Sequence, residues 1–406
     1  MSAPANPSPP TPTPSYDRPY AGLRVLDLSQ GIAGPYCAML LAQYGADVLK
    51  VEPAAGDWGR NLGRRVGPHT AMDLTANRGK RSLVLDLKNA TGRDLLARLA
   101  ARCDVLIENF RPGVCDKLGV GYEAVCKSNP RVLYVSVSAF GLRGPARDLP
   151  GTDTVAQAFS GMMMLNRDVD GAPRPTGFLT ADYATALYAF QALAAALAAR
   201  PHETGGRHLD ISLMQASGAL LAMKIVEEHI EGGPAPKLNA PAGSYKTSDG
   251  WIAVTLSKES HFAAICNTIG LPQLAADPRF ADFPARARHL AELLPPIRDA
   301  LRQKTTHEWL TAFRAADVIA AEVHDIAGWR ADPQVQAMGL VEEAKLADGA
   351  TVPWINIPGM LPRAPQDARR HWPKVGEHSA QILSEVLGLD DNEIQALRDG
   401  GVLPTR

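Results

Sequence analysis

Two apolar runs decide the fold: Leu23-Arg-Val-Leu-Asp-Leu28 and Asp47-Val-Leu-Lys-Val51. Each is short enough for a buried strand, and a helical pattern lies between them. The first run leads into a turn at Ser29–Gly34, Pro35 suits the first helical position, and Gly45 ends the helix. A strand, a helix and a second strand within about thirty residues predict a parallel βαβ unit with a right-handed crossover.

The same alternation continues along the chain. Further strands are predicted at Ser82–Leu87, Asp104–Ile107, Val132–Val137 and Arg207–Ser212. Short, strongly apolar strands that alternate with helices indicate an α/β domain whose parallel sheet is covered on both faces. A predicted hairpin at Gly243–Thr247 and Trp251–Leu256 precedes helical patterns over 258–316, which indicates a second, small α+β domain. The predicted organisation is a tail at 1–19, a large domain at 20–230, a small domain at 231–330 and a C-terminal part at 331–406.

Composition excludes several classes of protein. The 406 residues include 42 basic and 43 acidic side chains, a formal net charge of -1, so no nucleic-acid partner is expected. Five cysteines without CxxC spacing predict neither a zinc site nor a disulfide framework, and they fit a reducing compartment. The longest apolar stretch, Tyr183–Ala199, is too short for a membrane span. The first 19 residues contain seven prolines and no signal-peptide pattern, so a disordered tail and a cytoplasmic location are predicted.

The first strand-to-helix turn raises the question of a dinucleotide site. Gly31 and Gly34 lie at the turn, and Glu52 ends the next strand. The dinucleotide fingerprint requires GxGxxG, and this spacing does not provide it. An NAD-dependent oxidoreductase is therefore only a distant alternative.

Cations cluster in loops next to predicted strands. They are Arg78, Lys80 and Arg81 in the stretch Asn77–Ser82, Arg111 and Lys117 in the stretch Glu108–Lys117, and Arg143. Because ligands of open α/β sheets bind at the carboxyl ends of strands, these loops are candidates for holding phosphate groups. A solvated basic rim is the alternative interpretation.

Asp182 precedes the long alanine-rich helix. An aspartate at such a position is commonly an N-cap. Backbone N–H groups there also favour an ionised carboxylate, which suits a carboxylate nucleophile.

Several segments together resemble the class III CoA-transferase family, the formyl-CoA and carnitinyl-CoA transferase group. The segments are Gly45–Pro53, Asn77–Asp86, Asp104–Val114, Gly205–Ala216 and the ending from Gly376-Glu-His-Ser to Gly400-Gly-Val402. The resemblance implies a Rossmann-like large domain built from both chain ends, with 331–406 returning to it, a small inserted domain, and a homodimer of two interlocked rings. The implied substrates are an acyl-CoA and a small carboxylic acid, with no metal and no cofactor besides the CoA thioester.

The resemblance also assigns residues. Asp182 matches the nucleophile of the family, which forms an aspartyl mixed anhydride and then an aspartyl-CoA thioester. The N–H groups at the start of its helix and at the Gly31–Gly34 turn are expected to stabilise the oxyanion. The CoA contacts implied by the resemblance are Ile32, Ala33, Asn109, Phe110, Lys117, Leu118, Val137 and Phe140, and the basic loop adds Asn77, Arg78 and Lys80.

Other functions remain as alternatives. Related α-methylacyl-CoA racemases carry a histidine where this chain has Thr152, and threonine cannot serve as the second proton-transfer group. A racemase is the second candidate, and a non-catalytic CoA-binding protein is also considered. Arg60, Arg64 and Arg65 follow the second strand, and a guanidinium can hold the distal carboxylate of a succinyl, glutaryl or itaconyl group.

Overall fold

The computed structural model describes residues 15–168, 170–234 and 239–403. Its strands are β1 (Arg24–Asp27), β2 (Asp47–Glu52), β3 (Arg65–Val66), β4 (His69–Thr70), β5 (Arg81–Val84), β6 (Val105–Glu108), β7 (Leu133–Ser138), β8 (Arg207–Ser212), β9 (Gly243–Lys246), β10 (Trp251–Thr255), β11 (Ile319–Glu322), β12 (Val341–Lys345) and β13 (Thr351–Ile355). The α/β alternation and the strand positions predicted from the sequence are confirmed, with ends that differ by at most three residues.

The helices follow the same alternation in the first half of the chain. They are α1 (Ala33–Gln43), α2 (Ala71–Ala76), α3 (Ala90–Ala100), α4 (Val114–Lys117), α5 (Tyr122–Ser128), α6 (Asp153–Phe159), α7 (Met162–Leu165), α8 (Thr180–Ala199), α9 (Leu213–Leu220), α10 (Ala222–Glu231), α11 (Glu259–Thr268), α12 (Pro272–Ala276), α13 (Phe283–Arg288), α14 (Leu290–Leu301), α15 (Thr306–Ala315), α16 (Ile326–Ala331), α17 (Pro333–Ala337), α18 (Ser379–Leu387) and α19 (Asp391–Asp399). Helix α1 begins at Ala33 rather than at Pro35, because proline fits any position in a first turn whose N–H groups have no intrahelical partner.

Six strands form one sheet in the order β5-β2-β1-β6-β7-β8, and every neighbouring pair is parallel. Counted along this sheet alone, the order is 3-2-1-4-5-6, which is the order of dinucleotide-binding folds. The strand order reverses between β1 and β6, so the loops after these two strands separate there. Such a switch point is the usual ligand site of an open α/β sheet.

The sheet buries both faces, as its apolar strands predict. Val25 and Leu26 are fully buried on opposite faces of β1. Val25 belongs to a core that includes α1 and α8, whereas Leu26 packs in a core with α3, α18 and α19. The C-terminal helices therefore complete one face of a sheet that the N-terminal half of the chain forms.

Two compact units divide the chain. The larger comprises residues 1–222 and 342–406 and the smaller residues 223–341. The sequence placed these boundaries at 230/231 and 330/331, and the first compact-unit boundary falls near the start of α10. The smaller unit has its own antiparallel sheet, β11-β10-β9, around a core that includes Phe262 and Trp309.

The predicted disordered tail at 1–19 forms hydrogen bonds with the rest of the chain at its C-terminal end. Residues 1–14 lie outside the described part of the chain, but Asp17 accepts a hydrogen bond of 2.7 Å from the Arg369 guanidinium. Tyr16 donates to the carbonyl of Gly359. Residues 15–19 are thus attached to the C-terminal segment of the larger unit, a partner that the proline-rich pattern could not reveal.

Candidate active site

The side-chain amide of Asn109 links the two loops at the switch point. Asn109, directly after β6, accepts the N–H of Gln30 at 2.8 Å and donates to the Gln30 carbonyl at 2.7 Å. This pair of bonds ties the loop after β1 to the loop after β6. Asn109, expected to contact CoA, therefore also holds the two loops that border the switch point.

The turn after β1 rests on buried charge. Gly31 has φ +80°, and a Cβ there would lie 2.4 Å from the Trp58 ring, so only glycine fits. Its N–H donates to both carboxylate oxygens of Asp57, at 3.0 and 3.1 Å. Asp57 in turn pairs with Lys50 at 3.1 Å. The N–H of Gly31 is therefore not free to bind an oxyanion.

A cavity of about 420 Å³ opens at this edge of the sheet. Its lining is Gln30, Ile32, Ala33, Trp58, Asn109, Phe110, Arg111, Pro112, Val137, Ser138, Ala139, Arg147, Leu149, Pro150, Gly151, Thr152, Asp153, Asp182 and Leu213. The lining comes from loops after β1, β6 and β7 together with the start of α8, so the cavity lies at the carboxyl ends of the strands, as expected. We call it the main cavity.

Asp182 faces the main cavity but is not an N-cap. It is the third residue of α8, and Leu179 at the N-cap position makes no side-chain cap. The capping carboxylate belongs to Asp153, whose Oδ1 accepts the N–H of Ala181 at 2.7 Å and the N–H of Asp182 at 3.1 Å. The N-cap interpretation of Asp182 is therefore wrong, and the first N–H groups of α8 are occupied.

The Asp182 carboxylate has an unusual environment. No hydrogen bond or ion pair to it occurs within residues 15–168, 170–234 and 239–403. Burial, and then the negative charge of Asp153, raise the pKa of Asp182 from 3.8 to about 7. A half-buried carboxylate that is poorly stabilised in its charged form is a better nucleophile than a solvated one, and perturbed groups of this kind concentrate at functional sites.

Six of the eleven predicted CoA contacts line a cavity. Five of them line the main cavity: Ile32, Ala33, Asn109, Phe110 and Val137. Phe110 also lines a second cavity of about 420 Å³ together with Leu118, and the two cavities share Gln30.

Two other predicted contacts line neither cavity. Lys117 is exposed on α4. Phe140 is buried against Phe159, with ring centroids 5.0 Å apart. A packed aromatic side chain of this kind shapes the wall behind a site rather than its surface.

Three predicted contacts have internal partners instead. Asn77, Arg78 and Lys80 are all buried. Lys80 donates to Asp27 at 2.7 Å and to Asn77 at 3.0 Å, while the Arg78 guanidinium lies 4.2 Å from the centre of the Trp354 ring. None of the three lines the main or the second cavity, so the structure favours a structural role for them.

Arg60 is also engaged inside the protein. It is 3% exposed, and its guanidinium forms two hydrogen bonds with Glu52 and one with Asp73, each between 2.8 and 3.0 Å. Arg64 and Arg65 are exposed and lie outside the lining of the main cavity. The arginines that do line it are Arg111, which the sequence had singled out, and Arg147, which it had not.

Asp153 and Arg147 were missed for different reasons. Asp153 bonds to a helix 28 residues further along the chain, and the only local signal is its i,i+4 pair with Gln157. Arg147 lies in an exposed loop, where no periodic pattern distinguishes one arginine from another.

Among the described residues, three or more side chains that could ligate a metal come together at one place. His371, Glu377 and His378 bring their ligand atoms within 4.8 Å of one another. They do not line the main cavity, and His371 already pairs with Glu377 at 3.1 Å. Thr152, whose hydroxyl cannot serve as a general base near neutral pH, lines the main cavity. No helix among the described residues is long and apolar enough to cross a membrane.

Comparison with known proteins agrees with this geometry. A model of CoA-transferase family III matches residues 20–379. The chain is 35% identical over 393 residues to succinate–glutarate CoA-transferase of Agrobacterium fabrum, covering 93% of this chain and 98% of that protein. It is 35% identical over 399 residues to the beta subunit of succinyl-CoA–L-malate CoA-transferase of Chloroflexus aurantiacus, covering 95% and 98%.

A solved structure matches the fold as well. The crystal structure of a CaiB/BaiF family protein from Brucella suis has a TM-score of 0.81 and 32% sequence identity, covering 91% of this chain and all of that one. The switch-point cavity, a carboxylate in it without a partner among the described residues, and these matches lead to one conclusion. The chain belongs to CoA-transferase family III and is an enzyme that moves coenzyme A from an acyl-CoA thioester to a free carboxylic acid.

Proposed function

We propose that Asp182 is the nucleophile of this transfer. The observation that carries the proposal is a carboxylate without a partner among the described residues, facing the main cavity with a raised pKa. Such a group gains most when it becomes an acyl derivative, because acylation removes the poorly stabilised charge.

The exchange proceeds in four balanced steps. An Asp182 oxygen attacks the thioester carbonyl and the C–S bond breaks, giving a mixed anhydride and CoA thiolate. The thiolate attacks the aspartyl carbonyl and releases the first acid as its carboxylate, leaving an aspartyl-CoA thioester. The acceptor carboxylate attacks this thioester and frees the thiolate again. The thiolate then takes the acyl group from the new anhydride and restores the Asp182 carboxylate.

The oxyanion of each tetrahedral intermediate requires free N–H donors. Asp153 occupies those of Ala181 and Asp182, and Asp57 occupies that of Gly31. Ile32 and Ala33 line the main cavity at the open N-terminus of α1, where first-turn N–H groups have no intrahelical partner. We assign the oxyanion site to the backbone N–H groups of Ile32 and Ala33.

CoA is proposed to span both cavities. Phe110 and Leu118, two contacts implied by the resemblance, line the second cavity beside Leu85–Lys88. That lining is mostly apolar and suits a base or a pantetheine arm, while Lys88 and Arg111 offer charge for the phosphates at the two cavities. These cations replace Arg78 and Lys80 in the proposal.

The acids are proposed to be short dicarboxylates. The two relatives are named for succinate, glutarate and malate, each a dicarboxylate. Arg147 lines the same cavity as Asp182, and within the described part of the chain its only ion pair is a surface contact of 3.3 Å with Asp148. We assign the distal carboxylate to Arg147, in place of Arg60.

This assignment predicts a selective defect. Arg147→Gln is expected to raise KM for succinate at least tenfold and to leave KM for butyrate unchanged, because only the former presents a second carboxylate. Arg167→Gln, an exposed arginine of the same unit outside the main cavity, is the matched control. An equal change for both acids would contradict the assignment.

A homodimer is proposed, interlocked as the resemblance implies. Apolar side chains on α9 and α10 are exposed in the single chain: Leu220, Met223, Ile225, Val226 and Ile230 are 50–73% exposed. Helix α10 buries none of its residues. Light scattering on the purified protein tests this proposal, with twice the chain mass of 43.4 kDa as the expected result.

A cytoplasmic location is supported by five free cysteines, four of them buried.

Trapping tests the nucleophile. The protein is incubated with succinyl-CoA, quenched with hydroxylamine or borohydride, and the modified peptide is mapped by mass. Modification at Asp182 that disappears in Asp182→Asn supports the proposal. Absence of any adduct, together with deuterium exchange at the α-carbon of a methyl-branched acyl-CoA, would support the racemase instead.

A further inference from the structure

Asp153 is a buried carboxylate at the wall of the main cavity, and the mechanism above leaves it without a role. It is 4% exposed and begins α6. Its Oδ1 accepts the N–H groups of Ala181 and Asp182, and its Oδ2 accepts the Gln157 amide at 2.6 Å. Three donors are thus directed at one carboxylate, which fixes its position.

Gln157 fixes the orientation of this group. Its oxygen accepts the N–H of Thr176 at 2.9 Å, so its amide nitrogen must point to Asp153. Both side chains are almost completely buried. A neutral amide at position 153 would place an N–H₂ group against that nitrogen or against the α8 N–H groups, and the network would lose a bond.

We propose that Asp153 is a positioning residue for the reaction: it holds the peptide N–H of Asp182 itself and places a fixed negative charge behind the nucleophile. The first effect orients the Asp182 carboxylate toward the cavity. The second keeps that carboxylate basic, because like charges within one site disfavour ionisation. The inference rests on Asp182 being the nucleophile.

The other groups around Asp182 are consistent with this role. Helix α9 carries no ionisable residue, and α1 contributes Tyr36, which stacks edge-on with Tyr183 at 5.0 Å. On β8, Asp210 accepts the N–H of Leu142 and His208 is near Tyr122. Arg111 and Arg147 line the cavity without pairing with Asp182 within the described ranges. Asp153 is the charge whose effect on the pKa of Asp182 is resolved.

The test is the pH profile of kcat/KM for succinyl-CoA in Asp153→Asn. We expect its acidic limb to move down by about one pH unit or more, and kcat at pH 8.5 to fall about three- to tenfold, because a less basic carboxylate attacks less readily. A helix cap alone would lower the rate by the same factor at every pH. An unmoved limb therefore overturns the inference.

Two further variants keep the test decisive. Asp390→Asn removes a capping carboxylate of the same kind from α19, at a residue that lines neither the main nor the second cavity, and should cost stability without moving the limb. Asp153→Asn with Gln157→Glu restores the donor–acceptor pattern and returns one negative charge at a neighbouring position. We expect this double variant to fold as the parent does and to show a limb between those of the parent and Asp153→Asn. If Asp153→Asn and the double variant both keep the acidic limb of the parent, the inference is wrong.

The inference can fail separately from the proposed function. If Asp182→Asn transfers CoA normally, the nucleophile assignment fails. If Asp182→Asn is inactive and Asp153→Asn keeps the parental limb, only the role of Asp153 fails.

Discussion

Two groups of buried carboxylates in the larger unit differ in how their charge is balanced. Beneath the turn after β1, Asp27 and Asp57 are paired with Lys50 and Lys80, and all four are at most 2% exposed. At the start of α8, Asp153 accepts the N–H of Asp182, and neither carboxylate forms an ion pair within the described residues.

The pKa values show the consequence. Burial alone would raise the pKa of Asp27, but Lys80 and Lys50 lower it below 3.8. Burial and Asp153 raise the pKa of Asp182 to about 7. Among the described residues, the same unit thus supplies cations to Asp27 and none to the proposed nucleophile Asp182. The proposed reactivity of Asp182 is therefore expected to come at the expense of stability.

The largest effect is expected from Asp182→Asn. CoA transfer should fall at least about 1000-fold, because an amide cannot form the anhydride. Stability should rise by on the order of 2 kcal/mol at pH 8. A carboxylate whose pKa is higher in the folded than in the unfolded protein destabilises the fold increasingly as pH rises from about 4 to about 7, and the variant removes that cost. Urea unfolding at pH 8 and pH 4 checks the prediction, and equal stability of parent and variant at pH 8 would contradict it.

Breaking the balanced group should have the opposite effect on stability. Lys80→Met leaves Asp27 buried with Lys50 at 4.0 Å as its remaining cation, and is expected to cost about 3–5 kcal/mol. Lys127→Met, at an exposed lysine of α5, is the control and should change stability by less than about 0.5 kcal/mol. Both are measured by urea unfolding at pH 7, and a similar loss in the two variants would refute the comparison.

The raised pKa of Asp182 should also affect the pH profile of the parent enzyme. Because only ionised Asp182 attacks, kcat/KM for succinyl-CoA should fall about tenfold from pH 8 to pH 6, with one proton bound on the acidic limb. Steady-state rates in constant ionic strength measure this. A profile that is flat down to pH 5 would mean that Asp182 titrates as an ordinary carboxylate.

The smallest effect concerns one hydroxyl of the balanced group. Ser29 donates to Asp27, and Ser29→Ala should cost about 1–2 kcal/mol, because one bond to a charged acceptor is lost while both lysines remain. The pH profile should not move. A shifted acidic limb in Ser29→Ala would show that the two carboxylate groups are coupled.

The sequence was sufficient for the six strands of the parallel sheet and for the hairpin of β9 and β10, because periodicity and turn residues are local signals. It was not sufficient for the cations. Arg78, Lys80 and Arg111 look alike in a basic loop, and only the fold shows that Asp27 and Trp354 engage the first two and leave Arg111 at the cavity.

The residue that caps α8 could not be identified from the sequence either. Asp182 has the local pattern of an N-cap, but the carboxylate that caps α8 comes from Asp153 on another helix. A contact between segments 28 residues apart leaves no periodic trace in one sequence.

The return of the C-terminus to the sheet affects synthesis. Ile382 and Leu383 are fully buried in the same core as Leu49 and Leu83, yet they emerge from the ribosome about three hundred residues later. Until then, the part of this apolar face that α18 and α19 cover remains exposed, whereas residues 223–341 already have the residues of their own core. The larger unit therefore finishes folding after the smaller one, and the uncovered face is where a chaperone would bind the growing chain.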